Sequence, residues 1–265
     1  MTTDASSSAR PWTFSFAAGT DPGWKYAMNQ DAVLVQGRVW QTCDIESGSI
    51  DTTDLLAAVA DGAAFAPCAA RASRTVLELL AAQVNSVDRL GASTARRIQR
   101  QVTDKAAGTK CEGMSSTLAA AQFSQDGIRI VSVGDSRVYR WRAGELLQIS
   151  VDHTVARRMV LQGDMTEVEA TRAGSLYRDL DSALIASEFE EEFDVFSSSE
   201  NLRDGDRWLL CSDGVTHALT DTEICALISS ASFEPESVVQ AILSAAKAQR
   251  DSDDNLSVAL ISVST

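Results

Sequence analysis

Apolar and polar residues alternate over 13–19 (TFSFAAG) and 31–40 (DAVLVQGRVW), with β-branched and aromatic side chains among them. That period of two predicts strands. The run 55–60 (LLAAVA) is apolar throughout and predicts a strand buried on both faces. Between these, 43–54 is polar and reads as a turn region. Ala69, Ala72, Val76, Leu79, Leu80 and Val84 then fall at helical spacing, predicting a helix over about 66–90. A second helix over 93–106 ends near Gly108. Close-set strands follow at 115–124, 128–134, 137–142 and 145–150, with turns at Gln125-Asp126-Gly127 and Ala143-Gly144. Residues 153–200 hold a helix near 154–162 but little continuous apolar face, and read as an insertion over one edge of the fold. A strand at 206–212, helices at 221–230 and 235–249, the second opened by Pro235, and a strand at 256–263 complete the chain.

This order predicts an α+β fold of antiparallel sheets with helices segregated on the outside. No 20–50-residue repeat and no Pro/Gly/Ser-rich linker divides it, so one domain over 11–265 is expected, preceded by a small, polar, disordered segment at 1–10. The 265 residues carry a formal charge of −14, which argues against nucleic acid and against an anionic membrane surface as partners. No stretch approaches the roughly 18 apolar residues of a membrane span. The start, MTTDASSSARPW, has no apolar signal region, which points to a cytosolic protein. Five cysteines without CxxC spacing argue against a disulfide framework and a structural zinc site; Cys68 and Cys211 read as small buried hydrophobes.

The chemistry is in the acidic residues. LLAAVADG (55–62) and RWLLCSDG (207–214) are apolar runs that end at an Asp-Gly pair, and Asp253-Asp254 heads the apolar run 256–263. Asp126-Gly127 and Asp204-Gly205, with polar flanks, read as turns. For Asp61 and Asp213, at the ends of apolar runs, a turn is a weaker reading. Carboxylates brought together at strand ends repel one another unless a cation lies between them. Asp135, after IRIVSVG, is a fourth, although Arg137 offers it a neutralising partner. Oxygen donors select Mg²⁺ or Mn²⁺, and two histidines, His153 and His217, cannot build a His-rich zinc or iron site. GxGxxG and GxSxG are absent, and GTKCEGMS (108–115) has Met114 where a phosphate-binding loop needs Lys.

At this point the chain resembles the metal-dependent protein Ser/Thr phosphatases of the PP2C type. NQDAVLV (29–35), VADG (59–62), GMSSTLAAA (113–121), VGDSRVYRWRAGELLQISVDHT (133–154), LLCSDGVTHAL (209–219) and SDDNLSVALI (252–261) match the family's segments in its order. The resemblance implies a four-layer α-β-β-α sandwich whose segment 153–200 includes a mobile flap. It implies that Asp61 bridges two ions, that the Gly62 carbonyl binds one and that Asp213 and Asp254 bind the other. Asp135 would serve a third, looser site, with Gln30 and Asp31 just behind the ligands. The implied reaction is hydrolysis of phosphoserine or phosphothreonine in proteins by a metal-bridging hydroxide, in opposition to a Ser/Thr kinase.

The chain departs from the family pattern at four places. Tyr26 stands where an Arg often holds the substrate phosphate, leaving the adjacent Lys25 as a point charge without a bidentate fork. Gln30 replaces a Glu. Ala63-Ala64-Phe65 replaces a glycine-rich stretch, and His217 stands near the third ion's expected place. Tyr26, Gln30 and Phe65 keep a rival open: a catalytically weak relative that serves as a regulatory or phosphoprotein-binding module.

Overall fold

A computed structural model describes residues 11–50, 54–84, 88–172, 179–187, 193–230, 234–249 and 254–265. The expected disordered segment 1–10, and Asp253, lie outside them. Two six-stranded sheets pack face to face. The first contains β1 (Thr13–Asp21), β4 (Ile45–Ile50), β9 (Arg137–Arg142), β10 (Glu145–Gln148), β13 (Arg207–Cys211) and β14 (Leu256–Ser264), in the order β10-β9-β13-β14-β1-β4. The second contains β2 (Asp31–Val35), β3 (Arg38–Trp40), β5 (Asp54–Asp61), β7 (Leu118–Ser124), β8 (Gly127–Val133) and β12 (Phe196–Glu200), in the order β12-β8-β7-β5-β2-β3. A two-stranded pair, β6 (Ser115–Ser116) and β11 (Leu184–Ile185), lies beside them. All the strand pairings are antiparallel.

Three apolar layers follow from the strand patterns. Between the sheets, Phe14, Phe123 and Trp208 stack in series, with centroids 5.6 and 6.3 Å apart. α1 (Ala69–Gln83) and α2 (Ala92–Ala106) cover the second sheet through Val76, Leu80, Ile98 and Val102. α5 (Asp213–Ala218), α6 (Asp221–Ser230) and α7 (Pro235–Ala248) cover the first through Val215, Ile224, Ile228, Val239 and Ile242. This is the four-layer α-β-β-α arrangement expected. β5 is apolar without alternation because one face meets the helices and the other meets the opposite sheet.

Some local expectations need correction. The run 31–40 is a hairpin, not one strand: Gln36 and Gly37 both have positive φ (48° and 78°), as a tight two-residue turn requires. Residues 45–50, expected as a turn, form β4, an edge strand paired to β1; its small, exposed residues hide the pattern. The helix expected over 66–90 occupies 69–83. Within 153–200, α3 (Val155–Gln162) and α4 (Glu167–Arg172) form a helical pair, while β12 joins β8 as a sheet edge.

The cysteines bring a further correction. Cys68, at the start of α1, is bonded to Cys111, in the loop between α2 and β6. The two are 43 residues apart, and their Cα atoms are 5.5 Å apart. Spacing alone holds no trace of this, because the α1–α2 hairpin brings them together. Closing such a loop restricts the unfolded chain by about 4 kcal/mol in the chain-entropy view. Cys211 is buried, as read from its apolar surroundings.

Candidate metal centre

One end of the sandwich collects the acidic residues. Asp31 begins β2 and Asp61 ends β5, directly opposite each other in the antiparallel register. Asp135 lies in the turn between β8 and β9, Asp213 follows β13, and Asp254 precedes β14. Asp61, Asp135, Asp213 and Asp254 are half-buried and Asp31 is fully buried.

The two Asp-Gly glycines explain how the ends converge. A Cβ on Gly62 would stand 2.1 Å from the Ala69 carbonyl oxygen; one on Gly214 would stand 2.1 Å from that of Asn255. Neither space admits a side chain. Gly62 thus seats the start of α1 against the end of β5, and Gly214 seats Asp213 against the Asp254 segment. The close approach these glycines allow is to protein backbone, an addition to the ion contact expected of them.

Hydrogen bonds fix the rest. The Thr117 N–H donates to the Asp61 carbonyl (2.8 Å), and the Asp61 N–H donates to Thr117 Oγ1 (3.0 Å). Thr117 Oγ1 also meets Ser136 Oγ at 2.8 Å, which ties β5 to the Asp135 turn. Asn255, 1% exposed, accepts from the Gln30 N–H through Oδ1 (2.8 Å) and donates through Nδ2 to the Pro22 carbonyl (2.7 Å). Gln30 enters through its backbone: its carbonyl accepts from the Gly62 N–H (3.1 Å) and Ser73 Oγ (2.5 Å). Asn255 and Thr117 lie in the quoted segments, but the sequence reading gave them no role. An Asn directly after the acidic pair at a strand head was the available signal.

Electrostatics describes one shared site. Burial raises Asp61 well above the usual carboxylate range, and Asp31, Asp213, Asp135 and Asp254 each add to it. Asp135 is raised well above that range by burial and Asp213, and Asp254 is raised by the same two causes. Asp31 is pushed up to about 7, chiefly by burial. The hydroxyls of Ser212 and Ser257 oppose that shift, yet both Asp31 oxygens lack a hydrogen bond of normal geometry, as does Asp213 Oδ1.

Among the described residues, no Lys or Arg forms an ion pair with Asp31, Asp61, Asp135, Asp213 or Asp254. Arg137, the anticipated partner of Asp135, forks instead onto Asp152 (Nη2–Oδ2 2.7 Å) and donates to the Tyr139 hydroxyl (2.8 Å). His217 Nδ1 lies 3.5 Å from Asp213 Oδ2. Lys25 is exposed at the mouth, its Nζ 5.2 Å from the Tyr26 ring centre, near enough to Asp254 to pull its pKa slightly down. A cavity of about 730 Å³ opens beside the cluster, bounded by Asp135, Asp213 and His217 on one side and by Thr154 and Arg157, at the start of α3, on the other.

Among the described residues, no three His, Cys, Asp or Glu side chains stand as close together as the ligands of a metal ion. What the site offers is a set of oxygen donors with buried orphan carboxylate atoms, offset only in part by Arg137, His217 and Lys25. That set fits hard divalent cations, Mg²⁺ or Mn²⁺.

A pH dependence follows. In the fold, Asp31 keeps its proton up to about pH 7; in the unfolded chain it loses it near pH 4. Between those values the native state binds more protons, so stability falls as pH rises. The raised Asp61, Asp135 and Asp254 act in the same direction. Thermal denaturation in EDTA is expected to give a higher melting temperature at pH 5 than at pH 8, and Mn²⁺ is expected to narrow the gap.

The family model for protein phosphatase 2C matches residues 27–260, nearly the whole described chain. The chain belongs to that family. The serine/threonine protein phosphatase PstP of Mycobacterium tuberculosis is 30% identical over 221 residues, 79% of this chain. The match spans only 38% of that relative's length. The solved catalytic domain of PstP in complex with 2 manganese ions superposes with a TM-score of 0.70 at 27% identity, covering 96% of this chain and all of that one. The PPM Ser-Thr phosphatase MsPP of Mycobacterium smegmatis, solved with cacodylate, gives 0.71 at 27% identity over 93% of this chain and 97% of its own.

Proposed function

We propose that this chain hydrolyses phosphoserine and phosphothreonine monoesters in proteins with the help of Mg²⁺ or Mn²⁺. The observation that carries this reading is the convergence of Asp31, Asp61, Asp135, Asp213 and Asp254 at one sheet end, with no Lys or Arg ion-paired to any of them among the described residues. Asp61, the Gly62 carbonyl, Asp213 and Asp254 would hold two ions, and Asp135 a looser third. Bound there, such ions would acidify a coordinated water and would polarise the phosphoryl oxygens. The protein's own part is positional. Asp31 stands behind Asp61, and Asn255 and Thr117 fix the strand ends. Lys25 offers a point charge for the phosphoryl group at the mouth. The Cys211 thiol, behind Asp213, is pushed up to about 12 by burial and cannot act as a nucleophile at neutral pH.

On this reading, residues 11–265 work as one catalytic unit, and the segment 153–200 borders the entrance. Its substrate is a phosphoprotein, and it opposes a Ser/Thr kinase in a cytosolic setting. Among the described residues no helix is long and apolar enough to cross a membrane.

One observation favours the rival reading, a binding module of low activity. Phe65, Trp24 and Met28 are 85%, 69% and 68% exposed on the two loops that flank the site, an apolar rim suited to holding a partner. Phosphate release from phosphoserine and phosphothreonine peptides separates the two. Release in Mn²⁺ that stops in EDTA is expected. Binding of the same peptides with no release in any divalent ion would favour the module.

A further inference from the structure

We infer that the Cys68–Cys111 disulfide is a thiol-exchange site that sets the divalent-ion affinity of the centre. This inference rests on the metal-dependent reading above.

The bond occupies a strategic place. Cys68 is the residue immediately before α1 and holds a left-handed conformation (φ 56°) rare for a non-glycine residue. The next residue, Ala69, puts its carbonyl against Gly62, the candidate ligand that has no room for a side chain. At the other end of the bond, the 107–114 loop leads directly into β6. There the Ser115 carbonyl accepts from the Ala63 N–H (3.0 Å) and Ser116 bridges to Gly62. The disulfide therefore clamps together the two segments that enclose Gly62. Without it, the start of α1 and the loop before β6 are joined by weaker forces only.

The chemistry of opening is also built in. Cys111 is 1% exposed, whereas Cys68 is half-buried, so Cys68 Sγ is the sulfur open to attack. Arg71 Nη1 lies 3.8 Å from Cys111 Sγ. A small-molecule thiolate attacking Cys68 Sγ forms a mixed disulfide there, and the electron pair of the broken S–S bond leaves on Cys111 Sγ. That new thiolate faces the Arg71 guanidinium, and a stabilised leaving thiolate departs faster. A second small thiol attacks the mixed disulfide and frees Cys68. In sum, two small thiols become one small disulfide, and their protons pass to the two cysteines. A low-molecular-weight disulfide runs the sequence backwards.

The test compares full-length protein oxidised with a small disulfide and reduced with a phosphine. Thiol titration in denaturant should count three free thiols in the oxidised form, those of Cys43, Cys211 and Cys225, and five after reduction. Mn²⁺ binding is read by the loss of the free-ion electron paramagnetic resonance signal. Reduction is expected to weaken Mn²⁺ binding by about tenfold, the range seen when groups that orient ligands are lost. Reoxidation should restore it, and Cys68→Ser/Cys111→Ser should match the reduced form and ignore reductant. Arg71→Gln, which keeps both cysteines, should slow reduction at equal thiol concentration. Equal Mn²⁺ affinity in the two redox forms would overturn the inference, as would five free thiols before reduction. If Mn²⁺ affinity shifts as expected but phosphate release ignores EDTA, the parent reading fails while the clamp stands.

Discussion

Replacing Asp61 with Asn is expected to reduce phosphate release at saturating Mn²⁺ by about 1,000-fold while the protein stays folded. On the proposed reading Asp61 would hold the cations, whose polarisation of a phosphoryl oxygen is worth several kcal/mol; at 1.36 kcal/mol per tenfold, about 4 kcal/mol gives that loss. The sign on stability is opposite. Asp61 is held among Asp31, Asp213, Asp135 and Asp254, all of which raise it. Removing one of several like charges relieves repulsion, so the metal-free variant should melt higher than wild type near neutral pH. Steady-state kinetics and a melt in EDTA, run on the same preparation, read both effects. A structural role alone would lower activity and stability together.

Gly62→Ala is expected to be the most damaging substitution of a single hydrogen by a methyl group. The new carbon would stand 2.1 Å from the Ala69 oxygen, 2.5 Å from its carbon and 2.9 Å from the Gln30 oxygen. All three are backbone atoms, so no rotamer change relieves the overlap. The start of α1 must retreat from β5, at a cost of about 3 kcal/mol, the upper end of overpacking. The same retreat turns the Gly62 carbonyl, so the Mn²⁺ concentration needed for half-maximal activity should rise too. Urea denaturation measures the first effect and a Mn²⁺ titration of activity the second. Gly91→Ala, whose added carbon meets nothing within 4 Å, is the control.

These two residues also mark what the sequence made legible. Asp61-Gly62 and Asp213-Gly214 stood out because each ends an apolar strand, and a carboxylate there has no cheap structural explanation. The strand order and the flanking helices followed from period and from turn glycines, Ala143-Gly144 among them. What stayed hidden depends on residues far apart in the chain. β4 is an exposed edge strand, so β1 rather than its own pattern gives it its conformation. The Cys68–Cys111 bond needs the α1–α2 hairpin before the two meet. Arg137 looked like a partner for Asp135 two residues away, yet its fork reaches Asp152, 15 residues on. Asn255 acts by crossing from β14 to the loop over Pro22 and Gln30, a pairing that no local pattern encodes.

The central claim is that Asp61, Asp213 and Asp254 form one ion-binding centre. Isothermal titration of metal-free protein with Mn²⁺, in wild type and in Asp213→Asn, tests it most directly. The expected result is at least two ions bound per chain in wild type, with a clear loss of affinity or stoichiometry in the variant. No saturable binding in wild type, or the same isotherm for both proteins, would contradict it.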